Sequence, residues 1–243
     1  IQFNGKSILI DAGFSYRELS RRLKFRRINP EKFEAVFITH EHIDHVKGLG
    51  VFSRIHNVPI FINKPTLNGL LKDIKKDAVN RAQIYNTGDL IEINGVSVKS
   101  FSVSHDAKEP VGYTFTINGI KIGYATDLGA VTDTVIQNFE GISILTIEAN
   151  HDVNMLLNGN YPRFLKNRIR SEVGHLSNEE TGKLLKKIAS NNLKSVCLAH
   201  LSKENNSPTL AYNSIYRSFE ESADNVPDIV IAKQNSPTDS FCI

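Results

Sequence analysis

The chain has 243 residues, 40% hydrophobic and 23% charged, with a formal net charge of +3; this is an ordinary balance for a globular protein, and the length suits one domain spanning 1–243 or one large two-layered unit. The longest apolar runs fall far short of a membrane span, and the only two cysteines, Cys197 and Cys242, lie far apart, which argues against a disulfide framework and fits a reducing, cytoplasmic compartment. The mild positive charge permits an anionic substrate without demanding one; no secretory signal, internal repeat or low-complexity segment is read, and a chain that opens at Ile1 rather than Met leaves room for residues upstream.

Ser7-Ile8-Leu9-Ile10 reads as a buried strand ended by Asp11-Ala12-Gly13. Ser15-Tyr16-Arg17-Glu18 has the form of a capping box, so a helix is expected from there to about Lys24. After the break at Asn29-Pro30, a strand is expected from Ala35 to Thr39.

The next stretch, Thr39-His40-Glu41-His42-Ile43-Asp44-His45, places three of the chain's eight histidines and an aspartate within six residues. In extended chain, residues two apart point the same way, so His40 and His42 are expected to face one spot. Asp44 and His45 follow where the chain leaves the strand and are expected to face a neighbouring one. Imidazole and carboxylate suit zinc, manganese and iron, and the stretch reads as half of a site for two metals.

Beyond it, Leu49, Phe52 and Ile55 or His56 recur at helical spacing, and His56 is read as a helix-face residue. Pro59 to Ile62 is a short strand, and Leu67, Leu70, Leu71 and Ile74 predict one amphipathic helix ending near Lys76. Gln83 to Ser104 is strand-rich, with turns at Thr87-Gly88-Asp89 and Asn94-Gly95. Val111 to Thr116 and Lys121 to Thr126 flank Asn118-Gly119 as a second hairpin, and Ile142 to Ile147 is a buried strand. Ser177 to Glu180 repeats the capping box before a helix through about Ala189. Val196 to Leu198 is a strand ending near His200, Thr209 to Glu221 a helix, and Asp228 to Ile231 a last strand. The hairpins argue against a purely parallel doubly wound sheet. Two mixed β-sheets packed face to face, with helices on the outer faces, explain this α/β pattern best.

A two-metal centre needs more donors, and three stand at the ends of predicted strands: His105 after Phe101 to Ser104, Asp127 after Ile122 to Thr126, and His200 after Val196 to Ala199. Taken alone, each histidine would be read as a hydrogen-bonded loop residue and Asp127 as a turn aspartate.

His40-x-His42-x-Asp44-His45 resembles the HxHxDH signature of the metallo-β-lactamase fold. Ser104-His105-Asp106-Ala107 with Pro110-Val111-Gly112-Tyr113, Tyr124-Ala125-Thr126-Asp127-Leu128-Gly129, Glu148-Ala149-Asn150-His151-Asp152, Gly174-His175-Leu176-Ser177-Asn178 and His200-Leu201-Ser202-Lys203-Glu204-Asn205-Asn206 resemble its YycJ/WalJ branch. The resemblance covers nearly the whole chain, and it places the family's opening strand and Gly/Ser-rich turn upstream of Ile1. It implies an αββα sandwich with two divalent metal ions (zinc, manganese or iron) at one edge of the sheets. By resemblance, His40, His42 and His105 hold the first metal, Asp44, His45 and His200 the second, and Asp127 bridges them. His175 is similar to a histidine that lies outside the metal ligands, near the scissile phosphate, in the tRNA-processing nucleases, although Leu176 intervenes before the serine. It reads equally as a linker histidine ahead of the Ser177 cap.

The resemblance implies a dinuclear-metal phosphodiesterase, a 5′-to-3′ DNA exonuclease acting through a metal-activated water, with DNA as partner and no membrane. Asp44 would orient that water and accept its proton. A hydrolase of small esters, thioesters or lactams on the same centre, and a non-catalytic metal-stabilised module linked to nucleic acid, are the competing readings. Tyr161 to Arg170 mixes aromatic and basic residues and fits either a grip on a nucleic-acid strand or an amphipathic helix with a solvated basic face.

Overall fold

The computed structural model describes residues 1–190, 192–219 and 226–240. The chain forms two compact units, Ile1–Ser100 with Ala107–Val111, and Phe101–Asp106 with Gly112–Ile243. No described helix is long and apolar enough to cross a membrane.

The first unit opens with β1 (Gln2–Phe3) and β2 (Lys6–Ile10), then α1 (Tyr16–Phe25), β3 (Phe33–Phe37), α2 (Ile43–Val46), α3 (Leu49–His56) and β4 (Ile60–Asn63). α4 (Lys64–Gly69), α5 (Lys72–Ala78) and β5 (Ala82–Tyr85) follow, and then β6 (Leu90–Ile93) and β7 (Val96–Ser102). β2, β3, β4 and β5 pair in parallel, each reached through a helical crossover, while β1 pairs antiparallel on the edge, so the sheet is mixed. A parallel strand is covered on both faces, which is why Ala35, Val36 and Phe37 form an unbroken apolar run, all fully buried. Leu19 and Leu23 of α1 and Leu49 and Phe52 of α3 pack on that sheet with Val36, Ile60 and Ile62.

In the second unit, β8 (Val111–Ile117) and β9 (Ile120–Ala125) form the expected hairpin, with Asn118 and Gly119 both in the left-handed region (φ 50° and 81°) that such a turn requires. Then come α6 (Asp133–Phe139), β10 (Ile144–Glu148), α7 (Val153–Asn158), α8 (Arg163–Ile169), α9 (Asn178–Ile188), β11 (Ser195–Ala199), α10 (Pro208–Phe219) and β12 (Asp228–Ile231). β9, β10, β11 and β12 are neighbours in parallel, and β8 is antiparallel to β9, so this sheet is mixed too. Leu184 and Leu185 of α9 and Ile215 and Phe219 of α10 cover it, joined by Phe139, Leu145 and Leu198. Ser177 caps α9 with both halves of the capping box made.

Several expectations change. The strand expected to reach Thr39 ends at Phe37. At α1, Ser15 caps the helix, but Glu18 turns away from the cap to Arg21 and Arg22 (2.7 Å each), so only half the box forms. The single helix expected over Leu67 to Lys76 is two: Leu70 is extended (ψ 142°) after Gly69, and Leu71 is exposed rather than part of the stripe. Gly69 is a weak helix residue held against Glu41, whose Cγ would lie 2.8 Å from any added Cβ. The helix expected to reach Glu221 is described to Phe219; Glu221, like Cys242, lies outside the described residues.

Candidate metal centre

In the first unit the histidine string straddles a strand end and one turn of helix. Beyond Phe37 the backbone is irregular, and His42 is the residue before α2, so Asp44 and His45 sit on a helix rather than a strand exit. His40 and His45 are buried, His42 is half-buried, and the Asp44 side chain is 65% exposed. The rings cluster, with centroids 4.1 Å apart for His40 and His45 and 4.6 Å for His40 and His42. The carboxylate of Asp44 lies 3.9 Å from His45 Nε2, too far for a hydrogen bond.

What fixes this cluster is Asp11, which sequence reasoning took only as a strand terminator. It is buried at the end of β2 in the left-handed region (φ 56°). Its Oδ1 accepts the Thr39 backbone N–H (2.9 Å), and its Oδ2 accepts both the Thr39 hydroxyl (2.7 Å) and His45 Nδ1–H (2.7 Å). The Thr39 hydroxyl has one proton and gives it to Asp11, so toward His40 Nδ1 at 3.0 Å it can only accept. Both rings are therefore Nδ1–H tautomers, with Nε2 left as a lone-pair donor. That is how a protein orients metal-binding histidines. Backbone contact sets the turn: an added Cβ on Gly13 would fall 1.5 Å from the Asp44 carbonyl oxygen, so only glycine fits there.

The second unit brings its donors together by sheet topology. In parallel strands the carboxyl ends share one edge, the usual place for a site in such sheets. Asp127 follows β9, Glu148 ends β10 and His200 follows β11, with Ile147 paired to Ala125 and Glu148 to Ala199. Asp127 and His200 both take positive φ (58° and 56°), turning the chain sharply as it leaves the sheet. His105 arrives after β7, and His175 on the loop before α9.

Glu148 is the organiser here, and it is completely buried. Its Oε1 accepts Nδ1–H from His175 (2.8 Å) and from His200 (2.7 Å), while its Oε2 accepts the backbone N–H groups of Leu128 (3.1 Å) and Leu176 (3.3 Å). Burial pushes its pKa up, but the charges and hydrogen bonds of His175 and His200 outweigh this and hold it below the ordinary carboxylate range. Burial lowers His175, yet the Glu148 charge and hydrogen bond, aided by Asp127, leave it above the ordinary histidine value. His105 donates Nδ1–H to the Gly174 carbonyl (3.1 Å), and burial keeps its pKa low and its ring neutral.

Three ring nitrogens surround Asp127 Oδ1: His200 Nε2 at 3.5 Å, His105 Nε2 at 3.7 Å and His175 Nδ1 at 3.8 Å. These are longer than hydrogen bonds; the Nε2 atoms of His200 and His105 have the spacing of donors that share a cation with Asp127, while His175 Nδ1 is spent on Glu148. One ligand atom from each of Asp127, Glu148, His175 and His200 lies within 4.8 Å of the others. The donor chemistry fits a divalent metal, with Glu148 spent on orienting the histidines.

The structure thus gathers His40, His42, Asp44 and His45 in the first unit, and His105, Asp127, His175 and His200 in the second. Asp11 and Glu148 were missed as functional residues. The available signal was an acid closing an apolar strand, Ile8-Leu9-Ile10 in one case and Ile144 to Ile147 in the other. His56 is structural as expected, bonded to Tyr16 (3.2 Å) and Glu31 (2.8 Å).

Residues 6–200 match the model of the beta-lactamase superfamily domain. The chain is 37% identical over 216 residues to the exodeoxyribonuclease YycJ of Bacillus anthracis, covering 89% of this chain and 82% of that protein. It is 36% identical over 214 residues to the exodeoxyribonuclease WalJ of Streptococcus pneumoniae serotype 2, strain D39, covering 87% and 80%. Among solved structures, the metallo-β-lactamase fold protein YhfI of Bacillus subtilis superposes with a TM-score of 0.70 at 18% identity, over 96% of this chain and 86% of that one, which is a likeness of fold.

Proposed function

This chain belongs to the beta-lactamase superfamily, alongside the YycJ and WalJ exodeoxyribonucleases, and from that premise we propose that it is a dinuclear-metal phosphodiesterase acting as a 5′-to-3′ DNA exonuclease. It is a metal-dependent hydrolase of the α/β class with two mixed sheets, and its fold and His/Asp cluster point to divalent metal. The finer assignment follows the resemblance. His40, His42 and His105 would hold one ion, Asp44, His45 and His200 the other, with Asp127 between them, over a single domain in a cytoplasmic setting.

The observation that carries this reading is the shared orientation of the rings. Acceptors take Nδ1–H from His45, His105, His175 and His200, and Thr39 does the same for His40, so each Nε2 is kept as a donor or a proton carrier.

A phosphodiester resists attack because its oxygens are negative. Bound divalent cations would offset that charge and make water a competent nucleophile near neutral pH. The chain's own residues would do the rest. The exposed carboxylate of Asp44 orients the attacking water and accepts its proton. His175 stands with Glu148 behind Nδ1, which keeps the ring oriented and its pKa raised, so Nε2–H is available to the leaving oxygen or to a phosphate oxygen. Purified protein supplied with manganese or zinc should release nucleotides from the 5′ end of labelled DNA. Failure to cleave any DNA with metal confirmed bound would overturn the proposal.

A further inference from the structure

We propose that α8 and the residues around it form a platform for an unpaired nucleic-acid strand, with Phe164 stacking on a base and Arg163 and Arg170 contacting phosphates. This deepens the phosphodiesterase reading and rests on it, because it names the form of DNA that the site takes.

α8 contributes no buried residue. A helix of seven residues with no fully buried side chain has little stability of its own, yet this one is tied down at several points. Arg168 Nε donates to Asp106 (2.8 Å), Lys166 Nζ donates to the Leu157 carbonyl (2.8 Å), and the Ile169 carbonyl accepts the His175 backbone N–H (2.9 Å). Gly174 packs so closely that an added Cβ would lie 2.2 Å from the Ile169 carbonyl oxygen. What all this holds in place is Phe164, 74% exposed and the most exposed large apolar side chain among the described residues.

Charge identifies the occupant. Tyr161 to Arg170 contains four cations and no acid. Two of them, Arg168 and Lys166, are spent on anchoring. Arg163 and Arg170 are exposed and form no ion pair among the described residues. A fixed aromatic ring beside exposed guanidinium groups suits a polyanion that carries flat, apolar faces, and a nucleic-acid strand is such a partner. Stacking needs a base face free of its neighbour, which duplex DNA hides, so the platform selects single strands and frayed ends. The platform is also continuous with the site: the carbonyl of Ile169 positions His175, and Arg168 grips the residue that follows His105.

The test is binding of a fluorescent single-stranded oligodeoxynucleotide to the metal-free protein, read by anisotropy, alongside cleavage in manganese. Phe164→Ala should weaken single-strand binding by about five- to a hundredfold while Phe164→Tyr restores it. Arg163→Gln should lower the slope of log affinity against log salt by roughly 0.7. Three results would each overturn the platform: unchanged single-strand affinity in Phe164→Ala, an equal loss for blunt duplex, or a change of oligomeric state with DNA affinity intact. The two proposals fail separately. Wild-type protein that binds through Phe164 but cleaves no DNA sinks the nuclease and keeps the platform. A Phe164→Ala protein that cleaves single strands with unchanged KM sinks the platform and keeps the nuclease.

Discussion

In the first unit four candidate ligands fall within six consecutive residues, and Asp11 steadies one ring directly and another through Thr39. In the second, His105, Asp127, His175 and His200 come from separate strand ends and loops, and Glu148 alone grips two of the rings. The first arrangement is local. One turn of α2, pressed against Gly13, already sets the spacing of Asp44 and His45, and the carboxylate only fixes a tautomer. The second has no continuous backbone to set its spacing. His175 and His200 are held in register because they share one buried oxygen. A carboxylate that refines a local cluster should therefore matter less than one that assembles a distant set.

The largest effect concerns the carboxylate at the middle of the second arrangement. Asp127→Asn keeps the shape of the side chain but removes the charge that faces three ring nitrogens. Activity on DNA should fall by roughly a thousandfold, with metal content by elemental analysis falling alongside it. Full activity and full metal in this variant would remove Asp127 from the centre.

Next comes the comparison itself. Glu148→Gln retains an oxygen for the backbone N–H groups of Leu128 and Leu176 but can no longer accept from both histidines as an anion. A loss of about a hundredfold in metal affinity or activity is expected, the upper end for such supporting groups. Asp11→Asn should cost nearer tenfold, because Thr39 Oγ1 still lies 3.4 Å from His45 Nδ1 and α2 still sets the spacing. Isothermal titration of zinc into both variants orders them. If Asp11→Asn proves the more damaging, the contrast between local and assembled donors is wrong.

The same contrast explains how far the sequence could be read. His40 to His45 was legible because the donors are consecutive. So were the hairpin at Asn118-Gly119 and the cap at Ser177, where local chemistry decides local structure. His105, Asp127 and His200 could be placed at strand ends, but only the resemblance joined them to the first cluster. Glu148 was legible only as an acid closing an apolar strand; its work as an organiser depends on pairing with Ala199 in β11, and no periodicity reports a register. The one turn of α2 was missed because four residues are too few to show a helical period, and the break after Gly69 because the stripe at Leu67, Leu70, Leu71 and Ile74 is helical on paper.

The smallest effect concerns stability in the metal-free protein, where the histidines of the second unit oppose one another. His105 and His151 are pushed down by burial, so the unfolded chain holds more protons on them and stability rises with pH up to the ordinary histidine value of 6.5. His175 has the reverse sign. Its raised pKa means the folded protein holds the extra proton, a stabilisation complete below 6.5 and lost as pH climbs through the folded-state value. Burial also raises the Cys197 thiol to about 11, which removes stability above pH 9 whatever His175 does, so the test is the difference between two chelator-treated proteins in urea. Wild type should lose stability relative to His175→Gln as pH rises above 6.5. A difference that stays flat above 6.5 would mean that the buried glutamate does not hold His175 as a cation.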